Sequence, residues 1–261
     1  MKYGFIGCGN MGGAIARALS NATSSIMITD RSGKGKLLAE ELHCTYGDPT
    51  TVVTTCERIF LGVKPQMMRD ALTPLQAYFK EYKPLLITMA AGLEITKIQE
   101  FTGTALPIIR IMPNTPVQVG KGMTLYCRND LVDDGILEDF LQDMAFTGRM
   151  DQIPEHLIDA AGVVSGCGPA YMYMFAEALA DGAVACGVPR AKAMEYAAAT
   201  LVGSGEILLQ TGEHPGKLKD AVCSPGGSTI AGLNVLEQRA FRGAVIDCVK
   251  AAFHRNLELG K

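Results

Sequence analysis

Residues 3–6, 26–29, 58–63, 85–89 and 108–112 are short runs, apolar at nearly every position, and helical stretches at 12–20, 34–42, 66–79 and 95–101 separate them. A run apolar at successive rather than alternate positions is what a strand shows when both its faces are covered. Alternation of such strands with helices predicts an α/β domain built on a parallel sheet, with helices on both sides. A sixth strand is expected at 123–127, a helix at 137–144, and two further strands across 148–153, completing a first domain at 1–153. From residue 154 the pattern is helical throughout, with segments at 154–165, 169–186, 189–211, 215–222, 226–238 and 240–258. Gly187-Val188-Pro189 stops one helix and starts the next, and Gly212 with Pro215 punctuates the following junction. Ala176, Ala178, Ala180, Ala183 and Ala185, then Ala191, Ala193, Ala197, Ala198 and Ala199, line much of two of these helices with small side chains. Helices apolar on most faces need burial all round, which a domain of about one hundred residues hardly provides alone. The second domain, 154–261, is therefore expected to pack against other copies of the chain in a homo-oligomer.

The first strand runs directly into Gly7-Cys8-Gly9-Asn10-Met11-Gly12 and then a helix, so a G-x-G-x-x-G pattern stands at a strand–turn–helix junction. Gly7 suits the tight turn, Gly9 lets backbone approach a pyrophosphate, and Gly12 lets the helix pack on the strand, with Ile6, Asn10 and Met11 completing the turn. That makes the first domain a Rossmann-type, doubly wound dinucleotide-binding fold. Thr29-Asp30-Arg31-Ser32 ends the second strand, eighteen residues beyond Gly12, where such folds read the adenosine ribose. Asp30 suits a free 2′-hydroxyl and NADH, whereas Arg31, Ser32, Lys34 and Lys36 suit a 2′-phosphate and NADPH, so both coenzymes stay open. Ligands gather at the carboxyl ends of the strands, which brings in Val63-Lys64-Pro65, Met89-Ala90-Ala91-Gly92 and Asn114 within Met112-Pro113-Asn114-Thr115-Pro116. Small residues there leave room for a flat ring, Lys64 can face a phosphate or carboxylate, and Asn114 can meet a carboxamide.

Composition narrows the partners. The 261 residues carry 24 basic and 27 acidic side chains, a net charge of −3, with 48% apolar residues and no run of like charge. A nucleic-acid or membrane surface is not expected, and small, weakly charged partners are. The eight cysteines form no C-x-x-C pair and no histidine stands near them at metal-ligand spacing, so no metal site is expected and the thiols read as reduced, in a cytoplasmic protein. Glycines and Arg17 interrupt the apolar N-terminal run, which argues against a signal peptide, and no segment reads as a transmembrane helix.

A second glycine turn, Ser224-Pro225-Gly226-Gly227-Ser228-Thr229, lies between two helices. Taken alone it is a helix start with Ser224 at the N-cap and Pro225 at the first helical position. Free N–H groups at a helix start also hold small anions without any charged side chain, and Ser228 and Thr229 add hydroxyls. A coenzyme domain lacking a substrate-binding half makes this turn the expected substrate site, contributed by Ser224, Gly226, Gly227, Ser228 and Thr229.

Together these segments resemble pyrroline-5-carboxylate reductases over the whole chain. The residues carrying the likeness are Gly7 to Gly12, Val63-Lys64-Pro65, Ala90-Ala91-Gly92, Arg110 with Met112 to Pro116, Ser165-Gly166-Cys167-Gly168-Pro169-Ala170-Tyr171, and the segment from Leu218 through Ser224–Thr229 to Leu236-Glu237. The resemblance implies NAD(P)H-dependent reduction of the cyclic imine 1-pyrroline-5-carboxylate to L-proline, the last step of proline biosynthesis, in dimers or rings of dimers. It implies that the substrate turn serves the coenzyme of another subunit, with Thr229 donating a proton or only orienting the ring nitrogen. Asp30 departs from the Asn often found there in the family, and Cys167 from a smaller residue. The alternative is a β-hydroxyacid dehydrogenase or related imine reductase, but residues 169–188 contain none of the lysine that those dehydrogenases need.

Overall fold

The computed structural model describes residues 1–259. In chain order its elements are β1 (Tyr3–Ile6), α1 (Asn10–Leu19), β2 (Ile26–Thr29), α2 (Lys34–Glu41), β3 (Thr45–Tyr46), α3 (Pro49–Thr55) and β4 (Arg58–Leu61). After these come α4 (Met68–Leu72), α5 (Gln76–Tyr82), β5 (Leu85–Thr88), α6 (Ile95–Thr102), β6 (Ile108–Met112), β7 (Gly122–Arg128), α7 (Asp134–Met144) and β8 (Gly148–Gln152). The helical remainder is α8 (Glu155–Gly162), α9 (Gly168–Ala185), α10 (Arg190–Thr211), α11 (Pro215–Ala221), α12 (Ser228–Gln238) and α13 (Phe241–Leu259).

Among the described residues the strands form one eight-stranded sheet in the order β3-β2-β1-β4-β5-β6-β7-β8. Its central strands β1, β2, β4, β5 and β6 are mostly apolar because successive residues enter different layers. Tyr3, Phe5, Ile26, Ile28, Phe60 and Ile87 join the layer under α1, α2 and α7, whereas Ile6, Met27, Ile59, Leu61 and Leu86 join the layer under α3 to α6. Phe5 and Phe60 stack with ring centroids 4.7 Å apart. Each such side chain, fully withdrawn from water, contributes on the order of 1.5–3 kcal/mol.

Four details depart from the sequence expectation. β7 pairs antiparallel with β6, because only a 3₁₀ turn at Thr115–Val119 connects them and a parallel return needs a crossover of roughly a dozen residues or more. One strand, β8, stands where two were expected, and it runs parallel to β7. The helix expected at 66–79 is split into α4 and α5 by a 3₁₀ turn at Thr73–Leu75, where Pro74 has no N–H to continue the ladder. The short β3 and α3 were not expected. Two exposed residues give β3 no apolar signal, and α3 is marked by Asp48, whose side chain caps Thr51 N–H, and by Pro49.

The chain divides into two compact units, one containing Met1–Cys167 with the end of α13 from Ala252, the other Gly168–Ala251. The boundary expected at 153/154 lies at the start of α8, whereas the units part between Cys167 and Gly168, α8 belonging with the sheet through Ile158, which is packed in its core. In the second unit α9 and α10 pack through Ala176, Ala180, Ala193 and Ala197. Its larger apolar side chains face outward, Met174 being 69% and Val202 72% exposed. Among the described residues no helix is long and apolar enough to cross a membrane.

Candidate active site

The two glycine turns are built differently. At the first, Gly7 has φ 92° and donates its N–H to Thr29 O at 2.8 Å, tying β1 to β2. A Cβ on Gly7 would lie 2.9 Å from the Gly62 carbonyl carbon, one on Gly12 would lie 2.8 Å from Gly7 O, and one on Gly62 would strike Gly7 O. These three glycines are needed for the fold itself. Gly9 differs, since a Cβ there meets nothing within 4 Å; the space in front of it is open. Gly9 is also the cap of α1, with no side chain capping the helix and no acid in its first turn. The positive end of that helix is left for an anion.

In front of this turn lies a cavity of about 440 Å³. It brings together Ile6, Gly7, Gly9, Asp30, Arg31, Val63 and Lys64 of the expected residues. Cys8, Thr29 and Ser32 of the same two segments line it as well, and Pro49, Met67 and Ala71 do so without having been expected. Met67 and Ala71 carry a readable signal, being four apart on the helical segment that follows Lys64. Arg31 and Lys64 are exposed and neither is ion-paired among the described residues. Burial, with the Asp30 carboxylate second, pushes the Cys8 thiol up to about 12, so it is a packed, unreactive group.

Asn10, Met11, Gly12, Pro65, Met89, Ala90, Ala91 and Asn114 do not line this cavity. Asn10, Met11 and Gly12 form the first turn of α1, and Pro65 opens a 3₁₀ turn capped by Lys64. Met89, Ala90 and Ala91 follow β5 in a loop held from below by a charge cluster. Gly92 N–H donates to Asp159 Oδ1 at 3.3 Å and Ile95 N–H to Glu155 Oε1 at 2.7 Å. Arg110, with a side chain 1% exposed, grips Asp159 through Nη2 at 2.8 and 2.9 Å and reaches Glu155 at 3.4 Å. Glu155 and Asp159 were missed by the sequence reading. The available signal is an arginine inside an apolar strand, which demands buried acceptors, and two acids four apart at the start of α8 that can supply them.

Asn114, expected to meet a carboxamide, is buried and held inside the chain: Nδ2 donates to Ser165 O at 2.9 Å and Oδ1 accepts from Met123 N–H at 2.9 Å. The reason lies four residues beyond Ser165. Pro169 has no N–H to give the Ser165 carbonyl, and Val163–Cys167 forms a π-helical turn there, so the Asn114 amide supplies the missing donor.

In the second unit, Gly227 rather than Ser224 caps α12, again with no side-chain cap and no acid in the first turn. Gly227 N–H donates to Ser224 O at 3.0 Å and Gly226 has φ 68°, which makes Ser224–Gly227 a tight turn with proline second and a left-handed glycine third. This turn places Ser228 and Thr229 at the first two helical positions. Ser224, Ser228 and Thr229 are exposed, and their hydroxyls have no partner among the described residues. The cluster has the N–H groups, the hydroxyls and the space to hold a small carboxylate.

A sheet ordered β3-β2-β1-β4-β5-β6 with an uncapped glycine turn after β1 defines the dinucleotide-binding class of α/β enzymes. Residues 155–259 match the family model described as pyrroline-5-carboxylate reductase dimerisation, and residues 2–92 match that described as NADP oxidoreductase, coenzyme F420-dependent. A pyrroline-5-carboxylate reductase of Synechocystis is 39% identical, the alignment covering 100% of this chain and 99% of the relative. The solved 1-pyrroline-5-carboxylate reductase of Streptococcus pyogenes superposes with a TM-score of 0.90 at 32% identity, covering 99% and 98% of the two chains. That of Plasmodium falciparum, solved with NADP bound, gives 0.87 at 31% identity and 100% and 98% coverage. The chain belongs to the pyrroline-5-carboxylate reductase family. Its helical part is that family's dimerisation domain, and the protein is an oligomer.

Proposed function

We propose that this protein reduces 1-pyrroline-5-carboxylate to L-proline with NADPH or NADH. The observation that carries the reading is the pairing, in one chain of this family, of two uncapped helix starts: one opening on a cavity at the ends of β1, β2 and β4, the other carrying two unpartnered hydroxyls. A reduced nicotinamide, when bound, supplies a hydride to the imine carbon. Every other demand falls on protein groups. The N–H groups at the start of α1 fit the pyrophosphate, because Gly9 leaves the approach open and no acid competes. Lys64 and Arg31 add positive charge at the cavity wall. The loop Met89-Ala90-Ala91, clamped through Gly92 and Ile95, offers a fixed apolar surface for a flat ring.

At the second turn, where the Gly227 N–H is spent on closing the turn, backbone N–H groups of Ser228 and Thr229 hold the substrate carboxylate, with Ser224 and Ser228 hydroxyls beside them. Fixing the carboxylate fixes the ring, which lowers the entropic barrier to transfer. The Thr229 hydroxyl faces the ring nitrogen; it is too weak an acid to protonate that nitrogen unaided, so it relays a proton or orients an iminium already protonated. The beta-hydroxyacid dehydrogenase reading finds no support in the helix after Pro169, which has no lysine through Val188. The wider reading is of a dimer or ring of dimers, acting on a small substrate rather than nucleic acid, in the cytoplasm. It is supported by the outward-facing apolar residues of α9 and α10, a net charge of −3 and eight unpaired cysteines. Incubation of the protein with the imine and either coenzyme should yield L-proline by chiral chromatography; absence of proline with both coenzymes would overturn the assignment.

A further inference from the structure

We infer that Asp30 makes NADH the preferred coenzyme by occupying, with the chain's own carboxylate, the anion position that a 2′-phosphate would need. This rests on the reductase reading above and adds the choice of coenzyme to it. Asp30 ends the β2 strand and lines the cavity beside Arg31 and Ser32. Its two oxygens are both turned toward protein. Oδ2 receives the Ser32 hydroxyl at 2.6 Å, while Oδ1 is buried without a partner. The carboxyl lies against the first turn of α2: a Cβ on Gly35 would come within 2.9 Å of its Cγ and 3.0 Å of Oδ1. A side chain at position 35 would meet both that carboxylate and Ile28 Cγ2, at 3.0 Å.

Two consequences follow from donor accounting. A carboxylate only accepts, so the single Ser32 proton is committed to Asp30 and is not available to a phosphate oxygen. The same Ser32 oxygen takes the Lys34 N–H at 3.4 Å, which engages one of the free N–H groups at the start of α2. Two of the donors that Arg31, Ser32 and the α2 terminus offer a 2′-phosphate are thus already filled, and a fixed negative charge stands behind them. Opposite charge does remain: Arg31 is exposed, unpaired and in the cavity wall, but Lys34 and Lys36 are not part of that wall. One guanidinium beside one carboxylate leaves little net attraction for a phosphate carrying about −1.5 to −2 charges. A ribose 2′-hydroxyl meets no such conflict, since it can donate to the carboxylate once Asp30 turns toward it.

The test is equilibrium titration of the substrate-free enzyme with NADH and with NADPH, read by nicotinamide fluorescence, which suits a chain with no tryptophan. Wild type should bind NADH at least about tenfold more tightly, and Asp30→Asn should raise NADPH affinity about tenfold while changing NADH affinity less than about threefold. Adding Arg31→Ala to Asp30→Asn should remove that gain. Equal or tighter NADPH binding by wild type overturns the inference, and so does an unchanged ratio in Asp30→Asn. Should Asp30→Asn bind neither coenzyme, the wild-type ratio alone decides. Parallel turnover on the imine separates the two levels: binding with no proline formed refutes the reaction, whereas proline formed as well with NADPH as with NADH refutes only the coenzyme choice.

Discussion

The sheet unit and the helical unit bury very different things. The first hides Phe5, Phe60, Phe79 and Phe140 completely, each layer of its sheet closed by helices of the same chain. The second hides four alanines and leaves Tyr173, Met174, Val202 and Leu209 turned outward. A protein of nearly half apolar residues therefore has one region finished within a single copy and another that is finished only by a second. The two glycine turns follow the same division: Gly7, Gly12 and Gly62 interlock, while the Ser224–Gly227 turn stands free in the chain.

Four experiments can break or sharpen that contrast. The largest effect is expected inside the finished region, at Arg110. Arg110→Ala leaves Asp159 and Glu155 facing each other around an empty site, and urea unfolding should show a loss of about 3–5 kcal/mol. A loss below about 1 kcal/mol would mean that the cluster under the Ala90–Gly92 loop is incidental to the unit's closure. Next come charges on the unfinished region. Met174→Lys with Val202→Lys should raise the dissociation constant of the assembly about hundredfold, detected by sedimentation. The sheet unit should still bind coenzyme in that variant; an intact assembly would show that these side chains lie outside the interface.

The third experiment compares two glycines of one motif, three residues apart in sequence, that differ in what surrounds them. Gly12→Ala should cost about 1–3 kcal/mol in thermal unfolding because its Cβ strikes backbone. Gly9→Ala should unfold at nearly the wild-type temperature yet bind coenzyme about tenfold or more weakly, since it fills only the open approach. The smallest effect concerns thiols. Because Cys8 is held up to about 12, almost none of it is thiolate at pH 8, and iodoacetamide should leave it unmodified in the folded protein. Unfolding returns it to the ordinary range and should bring rapid alkylation at the same pH, followed by mass spectrometry.

Much of this was legible along the chain, for reasons tied to burial. Strands covered on both faces announce themselves as apolar runs, so β1, β2, β4, β5 and β6 were found close to their observed limits. β3 was invisible because both of its residues are exposed. The sense of β7 depends on the length of a connection, which periodicity does not encode. That Gly7, Gly9, Asp30 and Lys64 share one cavity was readable because each stands just beyond a strand's carboxyl end. The structural bond of Asn114 was not readable because its partner, the Ser165 carbonyl, is more than fifty residues away. The Asp159–Arg110 clamp was missed since an ion pair between a strand and a later helix leaves no periodic trace.

The most direct trial of the account separates the two turns in one variant. Thr229→Ala should bind NADH and NADPH as wild type does, because it leaves the first unit untouched. Its kcat/KM for 1-pyrroline-5-carboxylate, followed by loss of reduced-coenzyme absorbance, should fall at least about hundredfold. Wild-type catalytic efficiency in that variant would contradict the assignment of the Ser224–Thr229 turn as the substrate site.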